Sequence, residues 1–233
     1  ILALGYVAFF AVGGYTTAIL TSPNRGEAWP EWMPDTPWFA ALLVVVVFAA
    51  LTGLFIGAPV IRMRGDYLAI VTLGFGEIIR IFMNNLDRPV NITNGPKGIT
   101  AVDPVHIFGF DFSKTHEIFG MKFTPVFMYY YLLVCLVIVI VFVCLRLQTS
   151  RIGRAWVAIR EDEIAAKAMG INTRNMKLLA FAMGASFGGA SGAVFGAFQG
   201  FVSPESFTLW ESIYVLAIVV LGGMGHIPGV ILG

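Results

Sequence analysis

The sequence predicts an all-α integral membrane protein, a polytopic transmembrane helix bundle with about six segments. Of its 233 residues, 58% are hydrophobic and only 12% are charged, whereas soluble domains are roughly half apolar and a quarter charged. The apolar residues also form long blocks. Pro125–Leu145 contains no charged residue and, at ~1.5 Å per residue, would span roughly 30 Å, one bilayer core. Backbone groups in lipid must bond to one another, so we expect these blocks to be helices.

The apolar blocks are spaced so that six membrane segments fit into one domain. They are Ile1–Leu20, Trp38–Ile61, Tyr67–Met83, Pro125–Leu145, Leu178–Gly200 and the run from Ser212 to the end. Both ends of the sequence lie inside apolar runs. We therefore expect residues 1–233 to form a single transmembrane domain that is an internal fragment of a longer membrane protein.

Basic residues predict the orientation of these segments. If successive loops alternate between the two sides, Arg62–Asp66 and residues 146–177 share one face, which is several times richer in Lys and Arg than the other. The positive-inside rule places that face in the cytoplasm. Trp29, Trp38 and Trp210 then lie at the opposite surface, where aromatic anchors are common.

The charged stretch REDEIAAKAMGIN (160–172) predicts a short cytoplasmic helix. Glu163 and Lys167 stand four residues apart in the favourable order, Asp162 or Glu163 suits its start, and Gly170 suits its end. A helix of about two turns is not stable alone in water, so something must pack on it. It could lie on the membrane surface, but three consecutive acids suit an anionic leaflet poorly, which favours docking against a cytoplasmic protein.

Two charges interrupt the third segment. Glu77 and Arg80 stand three residues apart on one helix face, just after Gly74 and Gly76. The length of this segment leaves open whether it spans the membrane as one helix or is broken at these glycines. A charge near the bilayer centre costs ~2.5–3.5 kcal/mol on insertion scales, so an unpaired one is hard to tolerate. Two interpretations stay open. These residues belong to a translocation path or gate, or the segment emerges early and Arg80 snorkels to the outer interface.

Glycine recurs at every fourth position of the fifth segment. The repeat consists of Gly184, Gly188, Gly192, Gly196 and Gly200. Such spacing lets another helix backbone approach closely, so we expect a helix-packing face. The sequence leaves open whether the partner helix belongs to this chain or to another subunit.

Several classes of function find no support in the sequence. A net charge of +1 at pH 7 provides no basic excess for nucleic acid. His106, His116 and His226 lack metal-ligand spacing, and no G-x-x-x-x-G-K-[ST] phosphate loop occurs. We find no catalytic set. We therefore expect a protein that is not an enzyme, holds no metal or cofactor, and depends on another chain for any ATP hydrolysis.

Five ordered blocks, covering nearly the whole chain, resemble the LivM-type branched-chain amino acid permeases of ABC importers. They are RMRGDYLAIVTLGFGEIIRI (62–81), TNGPKGI (93–99), GRAWVAIREDEIAAKAMGIN (153–172), QGFVSPESFT (199–208) and LAIVVLGGMG (216–225). The resemblance implies import of leucine, isoleucine and valine across a bacterial or archaeal cytoplasmic membrane. It also implies partners besides membrane lipid: two ATP-binding cassette ATPase subunits that use the ATP, a second permease subunit, and a periplasmic or lipid-anchored substrate-binding protein.

The stretch from Glu163 to Gly170 is similar to the Glu-Ala-Ala…Gly loop that such permeases insert into their ATPase. This implies that residues 146–177 form a coupling loop, although Ile164 stands where the general loop has its first alanine. The implied coupling residues are Glu161, Glu163, Ala165, Ala166 and Gly170.

Two rival functions remain at this point. One is a permease for urea or another small solute in the same class. The other is an ion-coupled secondary transporter, which would use Glu77 and Arg80 as its relay and need no ATPase.

Overall fold

The computed structural model describes residues 5–24, 29, 36–61, 63, 66–89, 91–107, 110–118, 121–223, 225 and 227–233. Arg62, Arg64 and His226, which enter the sequence analysis, lie outside the described residues. The helices, in chain order, are α1 (Tyr6–Thr21), α2 (Trp38–Val60), α3 (Asp66–Asn85), α4 (Pro125–Thr149), α5 (Arg151–Glu161), α6 (Glu163–Ala168), α7 (Thr173–Gln199), α8 (Leu209–Gly222) and α9 (Ile227–Leu232).

The segments predicted from hydropathy are helical, and α1, α2, α3, α4, α7 and α8 occupy the six predicted positions. Within the described part of the chain, four helical stretches are long and apolar enough to cross a membrane: Trp38–Val60, Pro125–Thr149, Thr173–Gln199 and Pro204–Gly222. The helix α1 is apolar but has only 16 residues. The prediction of a polytopic helical membrane protein is confirmed.

The helix α7 forms the centre of the bundle and packs along both α1 and α2. Glycines allow this close approach. A Cβ added at Gly192 would overlap the carbonyl oxygen of Phe10 in α1, and one added at Gly189 would collide with the Cβ of Ala49 in α2. Because the backbones meet with almost no intervening side chain, the three helices form one closely packed unit.

The helix α3 is continuous from Asp66 to Asn85. Of the two forms that the sequence leaves open, a continuous helix and one broken at Gly74 and Gly76, the structure has the continuous one. A glycine inside a helix costs only ~1 kcal/mol relative to alanine. It keeps its backbone N–H, so the helical hydrogen-bond ladder can run through both positions.

Short strands follow α3 and α7, where the sequence analysis predicts only loops. The antiparallel pairs are β1 (Ile99–Thr100) with β6 (Phe201–Val202), β2 (His106–Ile107) with β3 (Phe110–Asp111), and β4 (His116–Ile118) with β5 (Met121–Phe123). The β1–β6 pair ties the segment after α3 to the end of α7. It covers a buried cluster that includes Tyr15, Ile99 and Phe207.

The charged stretch 146–177 is helical almost throughout. The helix α4 continues past the predicted end at Leu145 to Thr149. Ser150 then caps α5, because its hydroxyl accepts the Gly153 N–H at 3.2 Å. The helix α5 has no counterpart among the predicted elements, since arginines interrupt its apolar residues and give it no uniformly apolar block.

Candidate functional site

Side-chain and glycine caps define both ends of the short helix α6. At its start, the Asp162 carboxylate accepts the N–H groups of Ile164 at 2.7 Å and Ala165 at 3.1 Å. At its end, Gly170 adopts a φ of +82°, a left-handed conformation that suits glycine. Its N–H donates to the Lys167 carbonyl at 3.0 Å. Six residues are thereby isolated as a rigid helix with defined ends.

Glu163 holds α6 against the start of α7. Its carboxylate accepts hydrogen bonds from Lys177 Nζ at 2.7 Å and from Thr173 Oγ1 at 3.4 Å, both on α7. Lys167 Nζ, one turn along α6, stands 3.3 Å away. The hydrogen bond from Lys177 is the main reason that the pKa of Glu163 lies below its ordinary value, although partial burial opposes this. Glu163 is thus charged and doubly paired at neutral pH.

The outward surface of α6 differs from the predicted one. Ala165 and Gly170 are exposed, but Ala166 is only 3% exposed, because α6 packs against α5 and α7 on that side. The apolar side chains that reach solvent are Ile164, 77% exposed, and Met169, 83% exposed. Ala166 therefore contributes to the support of α6 and is not available at its surface.

Glu161, the remaining predicted coupling residue, is the last residue of α5. It is exposed and stands directly before the Asp162 cap. The two helices α5 and α6 are thus separated by a single extended residue, with an acid on each side of it.

Glu77 and Arg80 form an ion pair on α3. The Arg80 Nε lies 3.1 Å from each carboxylate oxygen of Glu77, and both side chains are partly exposed. The pair lies nearer the C-terminal end of α3, and Glu205 in the turn after β6 is close enough to interact with Arg80 electrostatically. A Cβ added at Gly74 or Gly76 would meet no heavy atom of the described residues within 4 Å. This part of α3 therefore has an open flank next to a paired charge.

The glycine repeat of α7 meets other parts of this chain in its middle. A Cβ at Gly188 or Gly192 would contact α1, and one at Gly196 would contact Val202. The question left open by the sequence is thus answered for these positions, since the contacts lie within the chain. Gly189, outside the repeat, faces α2.

The two ends of the repeat do not pack in this way. A Cβ at Gly184 or Gly200 would meet no heavy atom of the described residues within 4 Å. Gly200 instead ends α7 with a φ of +64°, a helix terminus that favours glycine. The prediction that all five glycines form one packing face is therefore corrected. Because a helix has 3.6 residues per turn, positions that repeat every four residues rotate progressively around it, and the end positions no longer face the neighbouring helices.

Sequence reasoning misses two features of the site. Lys177 pairs with Glu163 from fourteen positions away, a spacing that no helical pattern connects. Trp156 of α5 donates to the Met176 carbonyl at 2.8 Å, which fixes α5 beside the same end of α7. The only signal for either contact is the density of charge in this stretch.

Comparison with known proteins identifies a matching protein family. Residues 1–233 match the family model described as branched-chain amino acid transport system / permease component. The high-affinity branched-chain amino acid transport system permease protein LivM of Escherichia coli K12 is 46% identical over 244 residues, which cover 100% of this chain and 54% of that protein. LivM of Salmonella typhimurium LT2 is 44% identical with the same coverage. The permease protein LivH of Salmonella typhimurium LT2 is 36% identical over 87 residues, 37% of this chain and 28% of that protein.

The chain spans about half the length of the LivM relatives. No solved structure matches it significantly. The family model nevertheless covers the whole chain, and its apolar helices are those of a membrane protein. The chain belongs to the family of permease components of branched-chain amino acid transport systems.

Proposed function

We propose that this chain is the transmembrane permease subunit of an ATP-driven importer of leucine, isoleucine and valine. The observation that carries the proposal is the surface of α6. In a chain of this family, a capped helix held by Glu163 and Lys177 exposes the apolar side chains of Ile164 and Met169. Exposed apolar side chains on a charged, well-ordered segment are typical of a protein contact.

The proposed partners are suggested by this surface and by the relatives, which are permease proteins of branched-chain amino acid transport systems. Two ABC-type ATPase subunits would dock in the cytoplasm, one of them on α6, and would use the ATP, so this chain would hold no cofactor. A second permease subunit would complete the pathway. A periplasmic or lipid-anchored binding protein would deliver the substrate. The proposed location is the cytoplasmic membrane of a bacterium or archaeon.

The contacts around α6 provide a route for mechanical coupling. Closure of the ATPase dimer would displace α6, and the bond between Glu163 and Lys177 would pull on the start of α7. Because α7 packs backbone to backbone with α1 and α2, the three helices would move as one body and not deform separately.

We propose that the open flank of α3 lines the outer part of the translocation path. Support comes from Glu77 and Arg80, which are partly exposed on a helix of a membrane protein. Lipid tails solvate such a pair poorly, whereas a water-containing path or a subunit interface does not impose that cost. Gly74 and Gly76 add no side chains to this flank, which leaves room for a solute.

Uptake of radiolabelled leucine tests the proposed function. The complete complex, reconstituted in vesicles with its binding protein, should accumulate leucine only with ATP on the ATPase side. Isoleucine and valine should compete, and urea should not. Uptake that ignores ATP but follows an ion gradient would establish the secondary-transporter alternative. If urea competes with leucine but isoleucine does not, the transported substrate is a small amide and not a branched-chain amino acid.

A further inference from the structure

A groove of about 800 Å³ runs between α4, α5, α7 and α9. Most of its wall is apolar, with Ile140 and Val141 from α4, Phe187 from α7 and Ile231 from α9. Gly184 of α7 also lines it, and a Cβ there would meet no heavy atom of the described residues within 4 Å. The glycine that leaves the packing face of α7 thus helps to keep this groove open.

The groove has a polar end beside the charged segment. Arg160 and Gln148 line it there. Within the described part of the chain, no carboxylate lies within ion-pair distance of the Arg160 guanidinium, and neither side chain has a hydrogen-bond partner. Arg160 is exposed. An unpaired cation and an unpaired amide therefore stand at the end of the apolar groove that adjoins the charged segment.

The acids that follow Arg160 do not neutralise this end. The Asp162 carboxylate caps α6, and the Glu163 carboxylate binds two lysines. Glu161 is exposed at the end of α5 and does not line the groove. The polar end is thus positively charged although the surrounding sequence is mixed in charge.

We infer that this groove binds an anionic phospholipid from the adjacent leaflet, with the phosphate at Arg160 and an acyl chain between α4 and α7. Basic pockets between transmembrane helices on the cytoplasmic side recruit anionic headgroups. The planar guanidinium donates two parallel N–H bonds to phosphate, and the Gln148 amide adds another donor. The helix α4 is exposed along most of its apolar length, so lipid has access to the groove.

The lining distinguishes a phospholipid from the proposed transported solute. A free amino acid carries an ammonium besides its carboxylate, and a buried ammonium needs an acceptor or an acid. No described residue that lines the groove is acidic. A headgroup with a phosphate and no ammonium, such as that of phosphatidylglycerol, needs only the donors that are present.

Native mass spectrometry of the complete complex tests the site, with phosphatidylglycerol and phosphatidylethanolamine supplied at equal concentrations. The wild type should retain phosphatidylglycerol preferentially. Arg160→Gln should reduce that retention roughly fivefold, the ratio that corresponds to about 1 kcal/mol per arginine. Arg174→Gln is the matched control, because Arg174 is exposed at the start of α7 and does not line the groove. It should retain the lipid as the wild type does.

A second variant tests the apolar part of the site. A Cβ at Gly184 would meet no heavy atom of the described residues within 4 Å, so Gly184→Leu should project into the groove and lower retention of both lipids while the complex still assembles. Equal losses in Arg160→Gln and Arg174→Gln would show diffuse attraction to a basic surface and overturn the site. Full retention of the lipids in Gly184→Leu, or displacement of the bound lipid by leucine, would also overturn the proposed site. None of these measurements uses transport, so the proposed function and this site can fail separately.

Discussion

Glu163 is the residue on which the position of α6 depends most directly. Its carboxylate joins α6 to the start of α7 through Lys177, and it also pairs with Lys167 within α6. The Lys177 side chain is only 15% exposed, so its ammonium has little water to replace a lost partner. A six-residue helix is not stable by itself, and this pair supplies the tertiary contact that it requires.

Acidification should loosen α6 by protonating Glu163. Its folded pKa lies below the ordinary value of 4.5, so the pair contributes its full stability above that pH and loses it as the pH falls through the folded pKa. Exchange of the α6 amides, corrected for the intrinsic rate, should be slow at neutral pH and accelerate only below about pH 4.5. Lys177→Met should exchange faster already at neutral pH, by up to roughly fivefold for a pair worth about 1 kcal/mol.

Lys114→Met is the control for that experiment. Lys114 pairs with Asp111 at 3.3 Å in the strand-containing segment between α3 and α4, far along the chain from α6. Its removal should leave α6 exchange unchanged. If the α6 amides exchange with the same dependence on pH in the wild type and in Lys177→Met, the pair does not hold α6.

Glu77→Gln should impair leucine uptake and leave assembly intact. The change removes the bidentate partner of Arg80 and leaves an uncompensated cation on a membrane helix, a situation that costs ~2.5–3.5 kcal/mol near the bilayer centre. We expect uptake in vesicles to fall by about tenfold, less than that full cost implies, because Glu205 is close enough to interact with Arg80. Exchange of the two charges, Glu77→Arg with Arg80→Glu, should restore part of it. Normal uptake by Glu77→Gln would remove Glu77 from the proposed path.

At the scale of the elements, α7 connects the candidate coupling surface to the core. Its first five residues include Thr173 and Lys177, which bind Glu163. Its middle carries the glycines that meet α1 and α2. Its last residue is followed by Gly200 and the β1–β6 pair. One helix thus links the two surfaces of the proposed permease.

Gly192→Leu should prevent correct folding. A Cβ at Gly192 would overlap the Phe10 carbonyl oxygen, and two packed backbones cannot move aside as a flexible side chain does. The yield of monodisperse permease by size-exclusion chromatography should fall by at least about tenfold, since overpacking typically costs ~1–3 kcal/mol and backbone contacts are less forgiving. Gly184→Leu, the same change on the same helix with open space around it, should keep the wild-type yield. Equal yields of the two variants would refute the packing argument.

At the scale of the whole molecule, the buried helices form the core, whereas the exposed surface of α6 takes no part in it. The helices α1, α2 and α7 enclose the buried clusters around Tyr15 and around Phe181. Ile164 and Met169 stand outside this core and contribute nothing to it. Substitutions of Ile164 and Met169 can therefore change partner binding without changing the fold.

Ile164→Asp combined with Met169→Asp should abolish ATPase binding and leave the permease folded. Both side chains are exposed, so the change costs little in the free chain, whereas a buried charge at an interface is unfavourable. Co-purification of the ATPase should fall by at least about tenfold, as for a loss of ~1.4 kcal/mol or more. Asn172→Asp adds charge nearby while keeping an N-cap that binds the Asn175 N–H, and it should bind normally. Unchanged co-purification of the double variant would exclude this surface as the docking site.

The sequence alone was sufficient to predict features that depend on residues close together in the chain. The uncharged run Pro125–Leu145 predicts α4, and Glu163 with Lys167 and Gly170 predicts a short helix with the cap and the stop that the structure shows. The sequence alone failed where distant parts of the chain meet. The small side chain of Ala166 gives no local sign that α5 and α7 bury it. Likewise, the sequence around Gly74 and Gly76 left open whether α3 is continuous.

By itself the sequence determined that this is a membrane protein, where its long apolar helices lie along the chain, and which stretch carries the charge. These follow from hydropathy and from contacts within one helix turn, both of which a linear pattern records. Only the tertiary structure decided that Lys177 holds Glu163, that Ile164 and Met169 form the outward surface of α6, and that Gly184 opens a groove instead of packing. Those outcomes depend on which helix faces which, and that is settled by the packing of the whole chain.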